Sequence, residues 1–430
     1  MTTRIGSGAG FAGDRIDPAV DLARDGGLDD LVLECLAERT IALDQQRRLA
    51  DPDAGHDPRL TARLAPLLPV VLARGTRVLT NMGAANPPAA GLVVRRMLDE
   101  LGSAATVGVV TGDDVLAALD LDAPALEDGR PLREHGEIVS ANAYLGADAI
   151  TPALEAGAQV VVTGRVADPS LFLAPLAQRL GWAPDDVGRT AAGTLVGHLL
   201  ECAGQLTGGY AADPGHLEVP DLAHLGFPFA DVAADGTASY GKLAGTGGRL
   251  DRHTVREQLL YEVTDPAGYV TPDVLLDLRG VRVDDAGPDR VRVHGARGRP
   301  RPDRLKVTVG HRAGTRVEAE ISYLGPGAGA RGRLAADVVA TRLAGLPVTP
   351  RIEVLGGPDD ARLRVAARGD DLDVLDAVGH EVEALYTNGP AGGGGVRVHH
   401  TPVLGVLSTL VPRGAVRPRT ALLEARGAAA

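Results

Sequence analysis

The chain has 430 residues, with 44 lysines and arginines against 56 aspartates and glutamates, a formal charge of −12. Such a balance leaves no sustained basic face for nucleic acid, and 3% aromatic residues leave little for a base-stacking platform or an aromatic cage. Two cysteines, Cys35 and Cys202, exclude a disulfide framework and a cysteine-built zinc module.

At 44% hydrophobic and 23% charged residues the composition is that of a packed globular protein. Its length fits two or three domains, or one large α/β unit. No apolar run approaches the ~20 residues of a membrane span. The opening stretch MTTRIGSGAGF has no apolar signal core, so the sequence reads as soluble and cytoplasmic.

In the first half, short apolar runs alternate with helical patterns. Leu31–Leu36, Arg77–Thr80, Thr106–Val110 and Gln159–Thr163 read as strands. Asp17–Asp25, Ala89–Leu101, Asp113–Leu119 and Thr151–Ala156 read as helices, the first with Pro18 in its opening turn. This alternation predicts a mostly parallel sheet with flanking helices, and such sheets bind ligands beyond the carboxyl ends of their strands. Residues 171–206 read as mostly helical. From Val274 onward apolar and polar residues alternate between turns, the pattern of antiparallel strands in an α+β arrangement. Helices at Gly332–Ala344 and Asp371–Tyr386 interrupt strands at Arg351–Leu355, Arg362–Ala366, Val396–Leu410 and Arg419–Ala425. The pattern suggests an α/β domain over 1–225 and an α+β domain over 226–430, the latter with a glycine-rich loop at 389–395.

The residues after each strand carry the candidate chemistry. Gly8, Gly10 and Gly13 resemble a dinucleotide turn, but Pro18 starts the helix too late to aim its amides at a pyrophosphate. Asp14 and Arg15 follow, either as a local ion pair or as a pair that orients substrate. Glu34 lies in a strongly apolar strand, where burial raises a carboxyl's pKa and suits it to proton transfer; a solvated strand end is the alternative. Asn81 and Asn86 flank a small-residue loop and can bind carboxylate or carbonyl oxygens, or serve as turn and cap residues. Asn142 and Tyr144 stand among apolar neighbours. Arg165, at a strand end, is a candidate carboxylate or phosphate clamp, and Asp168 reads as the cap of the next helix or as a substrate contact. His198 and Glu201 share one helical stripe, as a base with its orienter, as two metal ligands without an identifiable third, or as a hydrogen-bonded surface pair. The 389–395 loop lacks the Lys-Ser/Thr of a phosphate loop. No cofactor or metal signature is present, and there is no G-x-S-x-G or H-E-x-x-H hydrolase motif.

The segments IGSGAGFAGDR, LVLECLAERT, VLTNMGAANP, SANAYLGAD, VVVTGRVADPSLF, GHLLECAGQLTGGY, YEVTDPAGYVTPDV and ALYTNGPAGGGG run in order along nearly the whole chain. In them the chain resembles the acyclic terpene utilisation (AtuA-like) family. The resemblance implies intracellular metabolism of acyl-CoA or carboxylic-acid compounds, with a hydro-lyase or carbon–carbon lyase step and a CoA thioester as a substrate moiety. Some members carry a small ferredoxin-fold region after the main body. This sequence shows none there, which raises the expectation that a separate ferredoxin-fold subunit supplies that part or that this member works without it.

Taken together, the residues point to a lyase, expected as a homo-oligomer. Glu34 or the His198–Glu201 pair would move a proton next to a carbonyl. Arg165, Asn81, Asn86, Asn142, Tyr144, Asp168, Asp14 and Arg15 would hold the substrate. The alternatives are a non-catalytic assembly subunit and a natural-product tailoring enzyme.

Overall fold

The computed structural model describes residues 2–425. These fall into two compact units. The first takes the residues up to Gly129, Val139–Val309 and those from Val406 on; the second takes Arg130–Ile138 and Gly310–Gly405. The division therefore follows contacts that return late in the chain, not the change of pattern near residue 225.

The first unit holds the expected α/β sheet. Its early strands are β1 (Thr2–Ala9), β2 (Asp30–Leu33), β3 (Arg77–Thr80), β4 (Val107–Thr111), β5 (Ile138–Ala143) and β6 (Val160–Thr163). All but β5 lie side by side in the order β1-β2-β3-β6-β4, parallel throughout. Their sequences are unbroken apolar runs because both faces are covered. Leu31, Leu33, Val78 and Val162 share a core with Leu22, Leu64 and Val94, and the alternating Val32, Leu79 and Val161 are also fully buried.

Strands from the second half extend this sheet. β7 (Pro228–Ala233) pairs antiparallel with β1, β8 (Ala238–Lys242) with β7, and the hairpin Arg282–Gly287/Arg290–His294 follows on β8. At the other edge Arg419–Leu423 runs antiparallel to β4.

The helices of this unit are α1 (Asp17–Asp25), α2 (Glu38–Ala50), α3 (Leu60–Arg74), α4 (Pro87–Glu100), α5 (Ala147–Glu155), α6 (Asp168–Leu180), α7 (Val187–Leu200) and α8 (Arg252–Leu260). The sequence reading does not identify α2 or α3. Helix α3 carries Pro66 and Pro69, which read as breakers, yet it buries Leu60, Leu64, Leu67, Leu68 and Val71. The expected helix at Asp113–Leu119 is only a short 3-10 turn, Leu116–Ala118. Asp113 turns inward instead of opening a helix.

The second unit is antiparallel, as the alternation predicted. Its elements run strand Arg304–Leu324, helix Ala328–Leu343, strands Arg351–Gly356 and Asp360–Gly369, helix Leu372–Glu383 and strand Gly393–Pro412. The first and last of these strands begin or end within the first unit. The βαββαβ order, with sheet neighbours second-third-first-fourth, is the ferredoxin-like arrangement. Val317, Ile321 and Tyr323 pack with Val339, Leu343, Val365 and Val378 in its core. The chain thus carries a ferredoxin-like unit of its own, within its length rather than after the main body.

Candidate functional site

The site is built at the carboxyl ends of the parallel strands in the first unit. One residue past β2, Glu34 turns back so that its Oε1 accepts from the Leu36 amide at 2.8 Å and from Asn81 Nδ2 at 2.7 Å. Asn81, one residue past β3, returns its own Oδ1 to the Cys35 amide at 2.7 Å. Both side chains are buried. Burial raises the Glu34 carboxyl well above its usual range and Asp168 adds to this, while Arg165 and the two donors only partly offset it. Both hydrogen bonds go to Oε1.

Arg165, two residues past β6, is 1% exposed. Its amide donates to Asp113 Oδ2 at 2.9 Å, Nε to the Val166 carbonyl at 2.8 Å and Nη1 to the Leu36 carbonyl at 2.6 Å; Nη2 is bound to Asp168. Burial opposes its charge, but Asp168, Tyr144, Glu34 and Glu38 outweigh burial and hold the proton more firmly than usual. So committed an arginine organises its surroundings. Asp168 is the first residue of α6, with Ala167 in the capping position, and its side chain is turned to Arg165. Burial raises its carboxyl despite the pull of Arg165.

Asp113, just beyond β4, accepts from Asn142 Nδ2 and the Arg165 amide, both at 2.9 Å. Burial lifts its pKa to about 6 against these bonds. Gly164 is needed beside it: a Cβ there would stand 2.7 Å from both carboxylate oxygens. Tyr144 follows β5. Its ring centroid is 4.7 Å from the Arg165 guanidinium and 4.9 Å from the Lys306 ammonium, and its hydroxyl donates to Glu38 Oε1 at 2.5 Å. Lys306 reaches the same oxygen at 3.3 Å. Burial would raise Glu38, but Tyr144, its own amide, Lys306 and Arg165 together hold it down at about 2.

Of these groups Glu38, Tyr144, Asp168 and Lys306 border a cleft of about 190 Å³, while Glu34, Asn81, Asp113 and Arg165 lie outside its lining. Glu38, Asp168 and Glu262 present carboxylates to it, Lys306 and Arg304 present cations, and Tyr144 and Tyr269 present rings. Glu262 has a left-handed φ of 59°, a strained conformation of the kind that clusters at functional sites. Behind Tyr269 lies the His198–Glu201 pair, buried at the end of α7. The imidazole centroid is 5.1 Å from the Tyr269 ring. His198 Nδ1 meets Glu201 Oε1 at 2.9 Å and Nε2 meets the Leu259 carbonyl at 3.1 Å. Burial favours the neutral ring, but Glu201 prevails and raises the His198 pKa; burial lifts Glu201 to about 7. Glu201 Oε2 is buried with no hydrogen-bond partner. Gly10 admits this packing, since a Cβ there would collide with the Cys202 backbone and the Glu201 carbonyl.

Of the residues singled out in the sequence, Glu34, Asn81, Asn142, Tyr144, Arg165 and Asp168 are linked into one network, and His198 with Glu201 stands against its Tyr269 wall. Asn86 lies apart: it caps α4 and donates to the Pro52 and Ala54 carbonyls. Asp14 holds the Gly10 amide at 2.8 Å, while Arg15 donates to the Leu222 and Ala223 carbonyls, so the two form no ion pair. The sequence reading missed Glu38, Asp113, Glu262, Tyr269, Arg304 and Lys306. One signal was available: Lys306 is one of only two lysines in an arginine-rich chain.

Among the described residues no group of three or more His, Cys, Asp or Glu side chains could hold a metal ion, and no helix is long and apolar enough to cross a membrane. No curated protein matches the chain significantly. The family model described as acyclic terpene utilisation family protein AtuA matches residues 3–422, nearly the full length on which the site is built, and the chain belongs to that family.

Proposed function

We propose that the protein is an enzyme of carboxylic-acid or acyl-CoA metabolism, a hydro-lyase or carbon–carbon lyase that moves a proton next to a carbonyl. The observation that supports this is the pair of carboxyls, Glu34 and Asp168, set about Arg165 at the ends of β2 and β6, both with raised pKa. Asp168 opens to the cleft and would take the proton α to the carbonyl. Glu34, whose carboxyl burial raises well above its usual range, would serve as the proton donor of the same network. Positioned proton transfer of this kind contributes ~10²–10⁴-fold. Lys306 and Arg304, exposed at the cleft, would hold the substrate's carboxylate or a CoA phosphate. The buried contacts of Arg165 and Asn81 make them positioning residues. The His198–Glu201 pair would act through Tyr269. A cytoplasmic location and a homo-oligomeric state belong to the same reading.

The test is deuterium exchange. The protein is incubated in D₂O with a panel of small carboxylic acids and CoA thioesters, and α-proton loss is followed by NMR. Exchange or elimination on at least one compound, lost in Glu34→Gln and Asp168→Asn, is the expected result. No exchange with any compound, or full exchange by both variants, would remove the proposal.

A further inference from the structure

A larger cavity, about 610 Å³, opens in the first unit against α5, α6 and the turn that follows α6. Its apolar wall includes Pro152, Leu173 and Trp182, the only tryptophan in the sequence. The indole is held by two edges. Nε1 donates to the Ala234 carbonyl at 3.0 Å, and the benzo edge abuts α7 at Gly193, where a Cβ would come within 2.9 Å of the ring. Both contacts hold the ring in place at the cavity wall.

The charged groups around the cavity are unbalanced: three carboxylates, Asp148, Glu155 and Asp273, against one guanidinium, Arg301. Arg301 is already spent on Asp148 at 2.7 Å, and Arg413 approaches the same carboxylate at 3.7 Å. Asp273 is satisfied by the Ala147 amide at 2.8 Å and the Ser170 hydroxyl at 2.5 Å. Glu155 has no hydrogen bond or ion pair among the described residues. An anion would meet net negative charge here. A purely apolar guest would desolvate carboxylates without compensation. A bare metal ion finds no set of three ligands.

We propose that this cavity binds an organic ammonium group, a substituted or quaternary amine on a small molecule, with the cation over the Trp182 face and its charge answered by Glu155. One rigid indole and one open carboxylate supply what a cation with an apolar shell requires. The site is separate from the cleft that holds Glu38 and Asp168, and the proposal does not rest on the activity assigned there.

Trp182 reports on the cavity by itself, since no other tryptophan contributes emission. The protein is titrated with choline and, in parallel, with its neutral isostere 3,3-dimethylbutan-1-ol at matched ionic strength. The expected result is a saturable change in emission with choline and none with the alcohol. Glu155→Gln, an exposed substitution that leaves the ring in place, should weaken choline binding about five- to tenfold. An equal response to both compounds would overturn the proposal in favour of a plain apolar cavity. So would unaltered choline affinity in the Glu155 variant, or no saturable response to choline below about 100 mM.

Discussion

Tyr144 donates its hydroxyl to Glu38 across 2.5 Å, joining the end of β5 to the start of α2. The contact leaves Glu38 with a folded-state pKa of about 2, below its ordinary 4.5. A depressed carboxyl stabilises the fold fully above its unfolded pKa, and that contribution disappears as pH falls from about 5 toward 2. Tyr144→Phe should therefore flatten the acid limb of the stability curve. The Glu38 side chain is 42% exposed, so solvent screening limits the loss at pH 7 to about 1 kcal/mol. Urea unfolding of both proteins between pH 2 and pH 7 would measure it, and identical acid limbs would refute it.

Glu34 invites a comparison of two substitutions. A glutamine reproduces the protonated carboxyl, keeping an acceptor for the Leu36 amide and Asn81, so Glu34→Gln should stay within about 0.5 kcal/mol of the parent. Glu34→Ala orphans both donors and should cost about 2–4 kcal/mol. If proton transfer is its task, both variants lose the deuterium exchange while only alanine loses stability. Equal destabilisation would mean that the side chain is ionised in the fold.

Asp113 is a third point of leverage. Removing its carboxyl strands the Asn142 amide and the Arg165 N–H in a buried place, and Asp113→Ala should destabilise by about 2–4 kcal/mol. Its pKa of about 6 lies above the ordinary 3.8, so the sign is opposite to that of Glu38. Native protein gains stability as pH falls from 6 toward 4 through this group, and the alanine variant should lose that gain. Thermal unfolding across this range would decide.

His198 should titrate above the usual imidazole value as long as Glu201 faces it. A raised histidine stabilises the fold below its unfolded pKa, and the effect vanishes as pH rises through the folded pKa. Glu201→Gln removes the main contribution that opposes burial and leaves only the Leu259 carbonyl and Glu262 on that side, so the His198 pKa should fall. Proton-detected NMR of the ring carbons would follow it. An unchanged titration would show that Glu201 is neutral in the parent.

Gly10→Ala would test the packing of β1's exit against α7. The added methyl meets backbone, which cannot rotate aside, and the loss should be about 2–3 kcal/mol, readable as a lower midpoint in urea.

Much of the fold could be read from residue patterns because the parallel strands are apolar runs: LVL, RVLT and VVVT can lie only in a sheet covered on both faces. Strand ends then located Glu34, Asn81 and Arg165 without further information. What the pattern hid has definite causes. Helix α3 was masked by Pro66 and Pro69. Asp113 read as a helix start because an aspartate before an apolar run commonly caps one, whereas here it faces inward to Asn142. Arg165 has the bidentate fork of a ligand clamp, and only the geometry reveals that its donors go to Leu36, Val166 and Asp168. Lys306 and Tyr269 reach the cleft from residues about 160 and 125 positions away from Tyr144, a proximity that no local spacing encodes. The ferredoxin-like unit escaped for a similar reason: its strand order becomes evident only when strands distant in sequence are seen to pair.

The scarcity of lysine has a practical corollary. Lys242 is closed off, its ammonium 2.8 Å from the Thr246 carbonyl and 3.0 Å from Asp289. Lys306 is 43% open. An aldehyde or activated ester offered to the folded protein therefore finds a single accessible side-chain amine, and it sits at the mouth of the cleft. A fluorophore or an isotopic tag on this side chain would report on the cleft, and a bound acid would shield it from the reagent.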